Sequence, residues 1–147
     1  MKNNTLRILA IIAFGLIVSC PPVLGQDETL QKDSDSTTPA SDIRIKDAVI
    51  CQDVVDRQPV GVSDVVAKEN AKVYCFTRVV GAVGETTVTH NWYYQGTLKS
   101  SVQLTVRSPN WRTWSSKTMD PIWTGQWMVE VLSADGTPLE SIIFFVQ

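Results

Sequence analysis

Residues Thr87 to Arg107 read TVTHNWYYQGTLKSSVQLTVR, and their alternation decides the fold. Successive side chains of a strand point to opposite faces, so Val88, His90, Trp92 and Tyr94 share one face of a first strand. From Ser101 to Arg107, Val102, Leu104 and Val106 point one way, and Ser101, Gln103, Thr105 and Arg107 the other. Gln95-Gly96 lies between the two runs and supplies a tight reversal, so the segment is predicted to be a β-hairpin with one wet and one dry face.

Working outward, the same signature recurs. Gly125 to Leu132 and Leu139 to Val146 flank Ser133 to Pro138, which holds Asp135-Gly136, a strong hairpin signal between β-rich runs. Asp47 to Val54 and Lys72 to Val80 are two further strands, and Trp111 to Thr118 is a seventh. Ser63 to Asn70 is predicted to form a short helical turn capped by Ser63. Seven short strands with this punctuation predict an all-β, antiparallel two-sheet sandwich over residues 44–147, immunoglobulin-like in architecture. Downstream of Trp92 there is no cysteine, so the immunoglobulin disulfide pattern is absent and the likeness is one of architecture alone.

The start of the chain has a different character. Lys2 and Arg7 precede an uninterrupted apolar run from Ile8 to Val18, which Pro21-Pro22 then closes. A spanning helix needs about 20 apolar residues, roughly twice this run, so residues 1–25 are read as a signal peptide cleaved before Gln26. A second processing route uses Ile17-Val18-Ser19-Cys20, which resembles a bacterial lipobox. It makes residues 1–19 a lipoprotein signal and Cys20 the lipidated first residue. Residues 26–43 carry five acids against Lys32 alone and a Ser/Thr-rich run, too polar to bury, and are read as a disordered acidic tether.

The whole chain of 147 residues has 13 basic and 15 acidic groups. Residues 44–147 hold 10 of each, so the folded part is electrically neutral and has no electrostatic footprint for nucleic acid. In an oxidising compartment Cys51 and Cys75, the two cysteines outside the signal, are expected to form a disulfide worth roughly 3.5 kcal/mol on a chain-entropy argument. Two separately buried thiols are the alternative. With the single His90 they fall short of the four ligands of a structural zinc, so no metal site is expected, and no cofactor motif is present.

Five spaced motifs, Arg57-Gln58-Pro59-Val60-Gly61, Val73-Tyr74-Cys75-Phe76-Thr77, His90-Asn91-Trp92, Trp111 to Lys117 and Gly125 to Val131, resemble the bacterial domain of unknown function 2914 in their order. The resemblance spans roughly Ile45 to Val146. It implies a compact β domain at the end of an exported or membrane-attached bacterial protein, and brings no activity, cofactor or catalytic residue with it.

Four of the five tryptophans lie between positions 111 and 127. Trp92 and Trp127 alternate with valines and are expected in the core. Trp111 and Trp114, three apart, must point to opposite faces of a strand, which leaves one of them outside the core. Beside Arg112 and Lys117 an exposed indole is suited to stacking a sugar or gripping a partner, tryptophan and arginine being enriched at interaction hot spots. The alternative is a cation-π or capping role within the fold. Trp111, Arg112, Trp114, Lys117 and His90 are therefore the candidate binding residues. No Gly-x-Ser-x-Gly elbow is present, and Ser115 or Ser116 with Asp120 are the only partners from which His90 would assemble a catalytic triad. His90 is read first as a satisfied, partly buried side chain, and Glu130 as a solvated or cross-strand partner of a lysine or arginine.

The expected function is that of an exported, non-catalytic binding or accessory module of the bacterial cell envelope. It contacts a protein or glycan through Trp111 to Lys117, and touches the membrane only through a lipid on Cys20. A purely structural envelope protein and, more remotely, a hydrolase using His90 are the alternatives.

Overall fold

The period-two alternation becomes pleated backbone throughout. A computed structural model describes residues 42–69 and 72–147; the signal segment, Cys20 and the tether up to residue 41 lie outside them. Ten strands follow one another, β1 (Arg44–Cys51), β2 (Asp53–Val55), β3 (Gln58–Val60), β4 (Val65–Val66), β5 (Lys72–Val80), β6 (Thr86–Tyr94), β7 (Thr97–Val106), β8 (Asn110–Thr118), β9 (Gly125–Ser133) and β10 (Pro138–Val146). They form three sheets, with orders β1-β5-β8, β4-β10-β9-β6-β7 and β2-β3, and no helix occurs among the described residues.

Of the seven strands expected in two sheets, six form. The seventh, Asp47 to Val54, is broken at Gln52 between β1 and the separate β2-β3 hairpin, which with β4 brings the count to ten strands in three sheets. The helical turn expected at Ser63 is replaced by β4. The Ser63 hydroxyl accepts the Val65 N–H (3.1 Å) and donates to the Val65 carbonyl (2.7 Å), closing a serine turn in place of a helix cap. Val65 and Val66 then pair in parallel with Phe145 and Val146. The Phe145 N–H donates to Asp64 and the Gln147 N–H to Val66, so the edge of the larger sheet offered this segment more backbone bonds than an isolated helical turn holds.

Residues 45, 48 and 50 of β1, the odd positions 73–79 of β5 and the odd positions 111–117 of β8 face the larger sheet. One apolar cluster joins Ile50, Val73 and Cys75 to Trp92, Trp127, Val129, Phe144 and Val146 from that sheet. A second, at the other end, joins Val79 and Ala82 to Val88, Val106 and Val131. Trp92 and Trp127 are completely buried, as their alternation required, each removing about 150–250 Å² from water. Phe144 meets Trp92 edge-on and stacks on Trp127, both with ring centroids 6.2 Å apart.

Both β-hairpin reversals near the candidate residues use left-handed backbone. Gln95 (φ 45°) and Gly96 (φ 78°) turn β6 into β7, where the sequence placed the turn. Asp56 (φ 49°) and Arg57 (φ 60°) turn β2 into β3 without a glycine. That small hairpin lies over the outer face of the three-stranded sheet, near Phe76 and its neighbour Arg78.

The expected disulfide does not form: Cys51 and Cys75 are free, buried thiols. Register explains it. Ile50, not Cys51, stands opposite Cys75, and Cys51 pairs with Tyr74. The pleat therefore sends Cys75 inward to the core and Cys51 outward beneath the β2-β3 hairpin, on opposite sides of one sheet.

Candidate functional site

Strand β8 carries its side chains as three-residue spacing demands. Trp111 turns inward and packs, half-buried, against the Val79, Val88 and Val131 cluster, whereas Trp114 turns outward and stays 36% exposed opposite Phe76. Beside them an open cleft of about 430 Å³ is lined by Arg57, Thr105, Arg107, Trp111, Arg112, Thr113 and Trp114. Its walls come from β7, β8 and the tip of the β2-β3 hairpin.

Arg57 closes one end. Its guanidinium lies 4.9 Å from the centre of the Trp111 ring, and Nη2 donates to the Arg112 carbonyl at 3.5 Å. Arg107 stands with Nε 3.6 Å from the Glu85 carboxylate, both side chains largely in water. Arg78, cross-strand to Arg112, is committed elsewhere: Nε donates to Asn110 Oδ1 at 2.8 Å and Nη1 lies 3.6 Å from Asp47. Half-buried Arg112 makes no ion pair among the described residues. Three guanidinium groups thus share the cleft with one nearby carboxylate, in a domain whose folded part is neutral overall.

Of the candidate binding residues, Trp111, Arg112 and Trp114 come together here. Lys117 does not join them. It lies on the inward face of β8 with its ammonium 5.5 Å from the Trp123 ring, which Lys99 also approaches at 5.6 Å. Sequence reasoning missed Arg57, Thr105, Arg107 and Thr113. The usable signal for Arg57 was Asp56-Arg57 between two short valine-containing runs, a turn dipeptide without its usual glycine.

His90 is fully buried and bridges the two sheets. Its Nδ1 is 2.8 Å from Ser115 Oγ and its Nε2 is 3.2 Å from Thr77 Oγ1. The Trp92 indole donates to Ser115 Oγ at 3.0 Å, and Thr77 donates to the Thr113 carbonyl at 3.4 Å. Hydrogen-bond capacity then assigns every proton: indole N–H to serine, serine O–H to Nδ1, Nε2–H to threonine, threonine O–H to carbonyl. His90 is neutral in this chain, and desolvation lowers its pKa to about 4. The serine nearest to His90 is buried with it, and Asp120 instead caps its own loop by accepting the Ile122 N–H. Glu130 differs from expectation as well: its partner is the cross-strand Tyr93 hydroxyl at 3.2 Å, not a lysine or arginine.

The cysteines stand on opposite sides of the β1-β5 sheet, and no cluster of three or more metal-ligating side chains occurs among the described residues. Burial raises the pKa of both thiols, Cys75 the further of the two.

Residues 85–146 match the model of a family described as a protein of unknown function, DUF2914. The matched segment is β6 to β10. It includes the Thr105, Arg107 and Trp111 to Trp114 walls of the cleft and leaves out Arg57, so it is shorter than the span from Ile45 over which the motifs run. No curated protein is significantly similar to the chain.

Proposed function

We propose that this chain, a member of the DUF2914 family through β6 to β10, is an exported binding or accessory module of the cell envelope that works by contact and not by turnover. The supporting observation is the cleft: Trp114 stays partly in water beside half-buried Arg112, with the exposed Arg57, Thr105 and Arg107 around them. Aromatic and arginine side chains in a concave site are the combination that dominates binding energetics at interfaces. In this reading the two packed sheets form an immunoglobulin-like sandwich used as a rigid platform. The leader delivers it to the periplasm or the cell surface, with Cys20 as a lipid anchor when the lipoprotein route is taken.

The test is a pair of measurements on Trp114→Ala. Binding to isolated cell envelopes should be lost while the melting temperature moves by only a few degrees. Retained binding removes the site, and an equally large loss of stability returns Trp114 to a packing role. Extraction tests the anchor separately: Cys20→Ala should release a form soluble without detergent.

A second reading, a purely structural component, draws on the Arg57–Trp111 stack, which ties the hairpin to the body of the domain. Full solvent protection of all five tryptophans against acrylamide would favour it. The hydrolase reading has the His90–Ser115 distance in its favour. Burial of both groups, and the claim of the Trp92 indole on the serine oxygen, count against it.

A further inference from the structure

We infer that the cleft takes an acidic sugar: a pyranose ring laid on Trp114, with a carboxylate or sulfate held by Arg112 and Arg107. The inference rests on the binding reading above and adds to it the class of ligand.

Three observations carry it. First, Arg112 is a half-buried residue whose guanidinium makes no ion pair among the described residues, one strand away from Arg78, which has both Asp47 and Asn110. A planar fork of donors partly withdrawn from water is suited to a bidentate anionic group. Arg107 adds a second charge held only by an exposed pair with Glu85, which a bound anion displaces at little cost.

Second, Arg57 occupies a left-handed position (φ 60°) where glycine would be free of strain. The chain tolerates that conformation at the one place that puts a guanidinium over Trp111 and against Arg112. The third positive group is thus tied to the cleft wall by its stack on Trp111, with the side chain exposed to solvent.

Third, the cleft lining offers an indole, guanidinium groups and the exposed Thr105 hydroxyl, matched to a ring with hydroxyls and a charge. β7 and β8 are edge strands of their sheets, so an acidic peptide pairing its backbone there is the competing occupant, and polyglutamate tests it.

The full chain is titrated, by tryptophan fluorescence and calorimetry, with oligogalacturonate, its methyl ester, a heparin oligosaccharide and polyglutamate. Oligogalacturonate or the sulfated oligosaccharide should bind, and affinity should fall as salt rises. The methyl ester, with the same rings and no charge, should bind at least about tenfold more weakly, as should Arg112→Gln and Trp114→Ala with the acidic form. Lys99→Gln, away from the cleft, should leave binding unchanged. Binding by neither anionic sugar, equal binding of acid and ester, or polyglutamate binding as tight as oligogalacturonate overturns the inference. Envelope binding by the same Trp114→Ala protein separates the two levels. If it is lost while the anionic sugars fail, the binding site stands and only the ligand class falls. If it is kept, the site itself falls.

Discussion

Ser115 Oγ on β8 lies 2.8 Å from His90 Nδ1 on β6, a contact that joins the smaller sheet to the larger one through the middle of the core. With Thr77 and Trp92 it forms a directed hydrogen-bond chain between the two apolar clusters. A fully satisfied polar layer of this kind fixes the alignment of two sheets, because any slip leaves buried donors and acceptors unpaired.

The neutral state of His90 makes stability depend on pH. Its folded pKa of about 4 lies below the ordinary 6.5, so the unfolded chain binds the proton more readily. The contribution is fully present above pH 6.5 and is lost as pH falls from there towards 4, a change of about 3 kcal/mol. Urea unfolding across that range should show the loss, and His90→Gln should flatten the profile while lowering stability at neutral pH. An unchanged profile in the variant would mean that other groups carry the acid sensitivity.

Ser115→Ala removes at once the acceptor of the Trp92 indole and the donor to His90. It should cost about 2 kcal/mol, the penalty of buried polar groups without partners. The conservative Ser115→Thr variant adds a methyl group to a packed site and keeps the hydroxyl, so part of the loss should be recovered. Equal losses in both would place the effect in packing.

The thiols offer a direct check on register. With Cys51 and Cys75 on opposite faces of the sheet, reductant should leave the melting temperature unchanged. Iodoacetamide should modify neither until the chain unfolds, since both are buried and their raised pKa values keep them protonated. A mass two hydrogens lighter in the purified native protein would contradict the arrangement.

Gly81 begins the loop between β5 and β6 at φ 87°, and a Cβ there would stand 2.2 Å from the Asp42 carbonyl oxygen. Because the obstacle is backbone, Gly81→Ala should lower stability by about 2 kcal/mol or more. At Gly96, where φ is 78° and a Cβ meets nothing, the same change should cost only the left-handed strain, about 1 kcal/mol. Thermal unfolding of the two variants side by side tests the difference.

Arg57→Gly separates backbone from side chain at the cleft. It relieves a left-handed turn residue and removes the stack on Trp111, so stability should change by less than about 1 kcal/mol. Binding to cell envelopes, by contrast, should weaken. A large loss of stability would make Arg57 a structural clamp.

Local pattern alone determined a good deal. Strand identity follows from period-two alternation, so the six strands β5 to β10, their turns at Gln95-Gly96 and Asp135-Gly136, and the inward course of Trp92, Trp127 and His90 were legible before any coordinates. The opposite orientations of Trp111 and Trp114 followed from their spacing. Tertiary structure decided everything that depends on which strands become neighbours and in what register. A one-residue offset put Ile50 where a cysteine was expected, an available sheet edge turned Ser63 to Val66 from helix to strand, and folding of a hairpin onto β8 brought Arg57 to Trp111 across more than fifty residues of chain. Alternation is a property of adjacent residues, whereas register and cleft composition are set by long-range packing that no local period encodes.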